Sequence, residues 1–168
     1  MPGANPNPRV LAALPPGAEV KVWRHAELGA IASPSDFAAA AGAEARQILK
    51  TVLVAERSPG PAARLAEPEG RYAAAVLSFE RRIALPVLAA AMGWRACEMA
   101  RPEELEAVTG YPRFGVSPLG LPCPVFVDAG LLDLPAVFVG AGAAGVELEL
   151  APRVLIEALE ASPLAIAL

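Results

Sequence analysis

Lys50 is one of two lysines among 14 basic residues, and it interrupts an otherwise apolar run, Ile48–Ala55 (ILKTVLVA). Strand alternation places it on one face with Ile48, Val52 and Val54, while Leu49, Thr51 and Leu53 face the other way. An unpaired ammonium is costly to bury, so its head must reach a carboxylate, a carbonyl, a ligand anion or water. A lysine that snorkels from a strand end satisfies the same requirement, and both readings stay open here. The second feature is the segment Gly110–Gly120, GYPRFGVSPLG, with three glycines and two prolines. Such a backbone lets a ligand approach main-chain N–H groups, which bind an oxyanion or a phosphate without any charged side chain. It also serves as a plain connection between helix and strand. Ser117, beside Pro118, reads as a hydrogen-bonding loop residue rather than a nucleophile. Gly140, Gly142 and Gly145 form a third cluster, but a strand follows them, which excludes a dinucleotide fingerprint. Asp128 closes the apolar stretch VFVD, either as a pocket acid or as the cap of a turn that begins at Ala129.

The rest of the composition removes other chemistries. Cys97 and Cys123 lie outside any CxxC spacing, and His25 is the only histidine. Two thiols and one imidazole cannot complete a zinc site, so no metal or cofactor is expected and the cysteines read as small buried hydrophobes. A Ser-His-Asp arrangement would have to run through His25, and no nucleophile motif accompanies it. Trp23 and Trp94 read as core or interface aromatics. The net charge of −4 excludes a strongly basic DNA or RNA binder, though not a local basic patch, and Arg57, Arg81 and Arg82 read as a solvated face. The most apolar stretch, Leu131–Leu150, contains Asp133, Pro135, Glu147 and Glu149 and cannot cross a membrane. Met1–Pro8 lacks the charge and the apolar run of a secretory leader, so a cytoplasmic protein is expected.

With 168 residues, 55% of them hydrophobic, the chain suits a single domain over 1–168. Asn7 caps a first short helix, which Pro15–Gly17 ends, and Glu19–Arg24 reads as a strand. Ser33-Pro34 starts a helix that Gly42 ends, and Pro102 starts another, rich in glutamate, that Gly110 ends. Further strands are expected at 48–55, 72–77, 125–128, 136–140 and 146–150, with helices at 86–92 and from Pro152 onward. Pro59, Gly60, Pro61, Pro68 and Gly70 predict a loop throughout Glu56–Gly70. The alternation gives a mixed α/β or α+β architecture.

Taken in order, Lys50-Thr51, Thr109-Gly110-Tyr111, Gly115–Gly120, Val125–Asp128 and Val137–Gly142 resemble the YbaK/EbsC-type aminoacyl-tRNA deacylases, relatives of the prolyl-tRNA synthetase editing domain. The resemblance spans about 18–159. It implies an α+β fold with a curved, partly barrel-like mixed sheet surrounded by helices. It also implies hydrolysis of the ester joining a wrong amino acid to the tRNA 3′ end, with tRNA and an aminoacyl-tRNA synthetase as partners. Lys50 would hold the tRNA end or the aminoacyl group, and Gly115, Val116, Ser117 and Pro118 would cradle the aminoacyl carbonyl. Asp128, Gly140 and Gly142 would stand beside the pocket. The family loop usually reads Gly-x-x-x-Pro, and its first glycine falls on Phe114 here. A phenyl ring there is expected to fill, shrink or block the pocket, which gives two outcomes: a deacylase for small amino acids, or a non-catalytic binding or protein-interaction module. An aminoacyl ester is already activated, so positioning and oxyanion stabilisation suffice without a nucleophile from the protein.

Overall fold

The computed structural model describes residues 4–168. Met1–Gly3, part of the segment tested for a leader pattern, lie outside the described residues. The strands are β1 (Lys21–Arg24), β2 (Leu49–Glu56), β3 (Tyr72–Ser78), β4 (Cys97–Met99), β5 (Val125–Asp128), β6 (Val137–Gly140), β7 (Val146–Leu150) and β8 (Pro163–Leu164). The helices are α1 (Pro8–Ala12), α2 (Pro34–Ala41), α3 (Pro61–Ala66), α4 (Leu85–Met92), α5 (Pro102–Thr109) and α6 (Pro152–Leu159). One sheet has the order β4-β2-β3-β5-β8 and the other β1-β7-β6. A parallel bridge between Ile48 and Phe138 joins them. The result is the expected mixed α+β architecture, although the two sheets do not close into a barrel.

Alternation divides β2 cleanly. Leu49 faces a core shared with Val76, Val127, Val139, Leu148 and the apolar face of α6. Val52 and Val54 face the other side, with Ala73, Ala75, Leu77 and α4. The strand β3 is buried along its whole length, which explains its three consecutive alanines: both faces are covered, and small side chains let the layers approach. Helix ends follow their caps. The Ser33 hydroxyl accepts from the Asp36 N–H, and Gly42, Gly93 and Gly110 end α2, α4 and α5 in the left-handed conformation.

Glu56–Gly70 is not wholly irregular, because it contains α3. Proline is tolerated in the first turn of a helix, and tertiary contact supplies the rest. Arg64 of α3 is fully buried and makes a two-pronged bond to the equally buried Glu104 of α5, Nε to Oε1 at 2.9 Å and Nη2 to Oε2 at 3.1 Å. Glu104 also accepts from the Tyr72 hydroxyl and the Arg101 N–H. Burial alone would raise the Glu104 carboxyl, but these donors outweigh it and hold it below the usual range. Burial, followed by the Glu104 bond, pushes Tyr72 up to about 12. The short strands β4 and β8, absent from the sequence reading, carry no alternation long enough to register.

Arg64→Met would leave the Glu104 carboxylate buried without its cation. It is expected to cost about 3–5 kcal/mol in urea unfolding, and replacing both partners by apolar residues should recover much of that loss.

Candidate active site

Register places the sequence-predicted residues along one face of the joined sheets. Two residues beyond the Ile48–Phe138 bridge, β2 reaches Lys50 and β6 reaches Gly140. Gly140 pairs with Glu147 of β7, and Glu147 pairs with Trp23 of β1. On its other side Lys50 pairs with Leu77. The β3–β5 pairing of Val76 with Val127 continues to Leu77 and Asp128. Neighbours on four of these strands, Leu49, Val76, Val127 and Val139, face the opposite core together with Leu148 of β7, so Lys50, Gly140, Glu147 and Asp128 share one face. Lys50 and Asp128 are two strand spacings apart, roughly 10 Å, with Leu77 between them.

The loop over this face is held from beneath. Tyr111 is fully buried and its hydroxyl donates to the Leu119 carbonyl at 2.6 Å, closing the loop on itself. Arg9 stacks on the Tyr111 ring at 4.2 Å and donates to the Thr109 carbonyl. A turn from Pro112 to Gly115 is closed by the Gly115 N–H, and the Ser117 hydroxyl accepts from the Leu119 N–H. Two glycines then allow backbone to lie on backbone. A Cβ on Gly140 would stand 2.2 Å from the Val116 oxygen, and one on Gly115 would stand 2.5 Å from the Ala143 carbonyl carbon. Gly142, at φ +78°, would strike Asn7, Val10 and Tyr111. The glycines thus seat Val116 and Ser117 directly above β6. The Gly115 N–H is committed to Pro112; Ser117 is fully buried, and the N–H of the half-buried Val116 finds no acceptor among the described residues.

On this face the sequence does not single out Glu147, and it raises His25 only as a rejected triad member. Only 18% of the Glu147 side chain is exposed, and burial pushes its carboxyl up to about 7. His25 follows β1, its N–H donating to the Gly145 carbonyl, and its Nε2 lies 3.5 Å from Glu147 Oε1 without a hydrogen bond. Burial also lowers the imidazole, so both groups lean toward their neutral forms and do not form an ion pair. Only the pairing of Glu147 with the glycine cluster, which sequence does not display, could have flagged it.

The other predicted residues divide. The Lys50 ammonium has no carboxylate within salt-bridge distance among the described residues, and burial lowers its pKa. Asp128 makes no side-chain cap for the turn at Ala129–Leu131; its Oδ1 accepts from the Ile166 N–H at 3.3 Å and ties down the C-terminal segment. Phe114 does not fill the site. It stands at a corner of the Pro112–Gly115 turn, 81% exposed, because the turn directs positions 113 and 114 outward. Cys97 is buried and Cys123 half-buried, and no cluster of metal-binding side chains occurs among the described residues.

The aminoacyl-tRNA editing domain model matches residues 29–158, which include Lys50, the loop, Gly140 and Glu147. The chain belongs to the aminoacyl-tRNA editing domain family. It is similar to EbsC of Enterococcus faecalis, provisionally named a Cys-tRNA(Pro)/Cys-tRNA(Cys) deacylase, at 31% identity over 126 residues, 74% of this chain and 70% of that one. Among solved structures, APE2540, a protein of unassigned function, matches with a TM-score of 0.75 and 25% identity over 95% of this chain and 96% of that one. A provisional trans-editing enzyme for prolyl-tRNA synthetase matches with a TM-score of 0.72 at 24% identity, covering 89% and 87%, and shares the fold. Within this editing fold the loop, the lone lysine and Glu147 lie on one face.

Glu147 binds its proton more tightly in the folded protein, at about 7, than at its ordinary value of 4.5. Folding stability should therefore fall as pH rises through the window from about 4.5 to 7 and level off above it, by at most about 3 kcal/mol. The His25 shift has the opposite sign. Comparing wild type with Glu147→Gln in urea unfolding from pH 4 to 8 isolates the Glu147 share, and the variant should lack the decline.

Proposed function

We propose that this protein is a trans-acting aminoacyl-tRNA deacylase that hydrolyses the ester of mischarged tRNA and acts on a small amino acid. The observation that carries the reading is the Val116 backbone seated on Gly140, on the face that holds Lys50. Family membership and the named activity of the EbsC relative support the same reaction.

In this reading the aminoacyl carbonyl lies against the backbone at Val116. As water attacks, negative charge develops on the carbonyl oxygen, and the preset Val116 N–H stabilises it without reorganisation. One such donor is worth about 3 kcal/mol, or roughly a hundredfold in rate. Lys50, lacking a carboxylate partner, binds the anionic phosphate of the tRNA end. Glu147, with a pKa near neutrality, accepts the proton of the attacking water, and protonation of the ribose oxygen completes hydrolysis to a free amino acid and an intact tRNA 3′ end. Gly115 acts by its close packing and by closing the turn, while Pro118 holds the loop that Ser117 braces. The small-substrate reading rests on the cysteine named for the relative, since Phe114 lies outside the site.

Lys50→Ala should reduce deacylation of a panel of mischarged tRNAs by at least about tenfold, with Tm nearly unchanged because the residue makes no ion pair. Arginine should rescue poorly, since its planar fork does not reproduce a compact ammonium. Full activity in the alanine variant would remove Lys50 from the reaction. Binding of tRNA to this net acidic protein should weaken gently with salt, with a slope that reports fewer than about five phosphate contacts. A steeper slope would require a larger basic surface than this reading supposes.

A further inference from the structure

Of the large apolar side chains exposed among the described residues, Phe114 is the most exposed and the only aromatic. No packing interaction explains it. It neighbours Gly115 in sequence and shares the Pro112–Gly115 turn, whose exit is clamped by backbone contact with Ala143. The buried Tyr111 anchors the entrance. The ring is therefore displayed on a preset support rather than on a loose loop, so ordering it on binding costs little conformational entropy. The Arg113 guanidinium lies over the ring, 5.4 Å from its centroid, while the residue stays 81% exposed. An exposed aromatic ring beside a cation is the combination that holds unpaired nucleotides: the ring stacks on a base of any identity, and the cation meets the adjoining phosphate.

We propose that Phe114, with Arg113, is the stacking platform for an unpaired nucleobase at the tRNA 3′ end, and so positions the substrate outside the hydrolytic site. This rests on the deacylase reading, because the unpaired bases adjoining the scissile ester are what brings a nucleobase to this turn. It also reassigns Phe114 from a wall of the amino-acid pocket to a contact with the RNA. The amino acid then has no bearing on Phe114, and the nucleotide next to the ester does.

The test uses an uncharged acceptor-stem minihelix with 2-aminopurine at the terminal or the penultimate position, beside steady-state deacylation of the aminoacylated tRNA. Titration with wild-type protein should quench the fluorescence at one of the two positions. Phe114→Leu keeps apolar volume but removes the π face; it should abolish the quench and raise KM roughly 5- to 100-fold, with a much smaller change in kcat. Phe114→Trp should restore both. Unchanged quench and KM in the leucine variant would overturn the proposal, and would leave a protein partner as the occupant of this turn. A changed ranking of amino acids at constant KM would return Phe114 to the pocket wall and equally overturn it. Absence of hydrolysis by wild type defeats the deacylase reading alone, because the quench on uncharged RNA is read independently.

Discussion

The contact of backbone on backbone between Val116 and Gly140 is the constraint on which the rest of the proposed site depends. Only a residue without Cβ lets the loop descend that far onto β6. The contact sets the height of the loop above the sheet and brings its backbone to the face of Lys50 and Glu147. Gly115 repeats the device one step away, against Ala143. Tyr111 and Arg9 hold the other end of the loop, so its shape is imposed from several directions at once. Preset donors are what an activated ester requires, because the reaction then needs little reorganisation around the developing charge.

Burial distributes the electrostatics unevenly. Where charges are paired, as in Arg64 with Glu104, the buried carboxylate stays ionised and locks two short helices to the sheet. Where the carboxylate lacks a matched donor, as in Glu147, desolvation moves its titration to neutrality. The same physical cost is offset at a structural position and left standing at the face that holds the loop. Lys50 is in the second situation: partly desolvated, without a carboxylate partner, and open to an anion that the protein itself does not provide.

Much of this was legible in the chain. The lone lysine in ILKTVLVA, the glycine-rich segment after α5 and the turn before β7 stand out because each breaks a local rule: a charge in an apolar strand, or too many residues without side chains. Helix caps at Ser33, Gly42 and Gly110 are local chemistry and were readable for the same reason. By contrast, α3 is a helix of six residues in a stretch crowded with breakers, and its anchoring partner Glu104 lies forty positions away. Phe114 misled because a family position normally held by glycine suggests an inward-facing wall. The turn closed by Gly115 sends the ring outward instead.

What the sequence determined by itself was most of the longer elements, the mixed architecture and several residues with unusual chemistry, since periodicity, capping and steric freedom are properties of a few neighbouring residues, while the order of its motifs carried the resemblance to the family. Tertiary structure decided which of those residues meet. Register across six strands puts Glu147 opposite Gly140 and leaves Asp128 two strands from Lys50, bonded to the C-terminal segment. It also decided that Gly115 gives its N–H to a turn while Val116 keeps its own. Such outcomes depend on pairing between distant segments and on the water excluded by that pairing, and neither is encoded in the spacing of residues along one strand or loop.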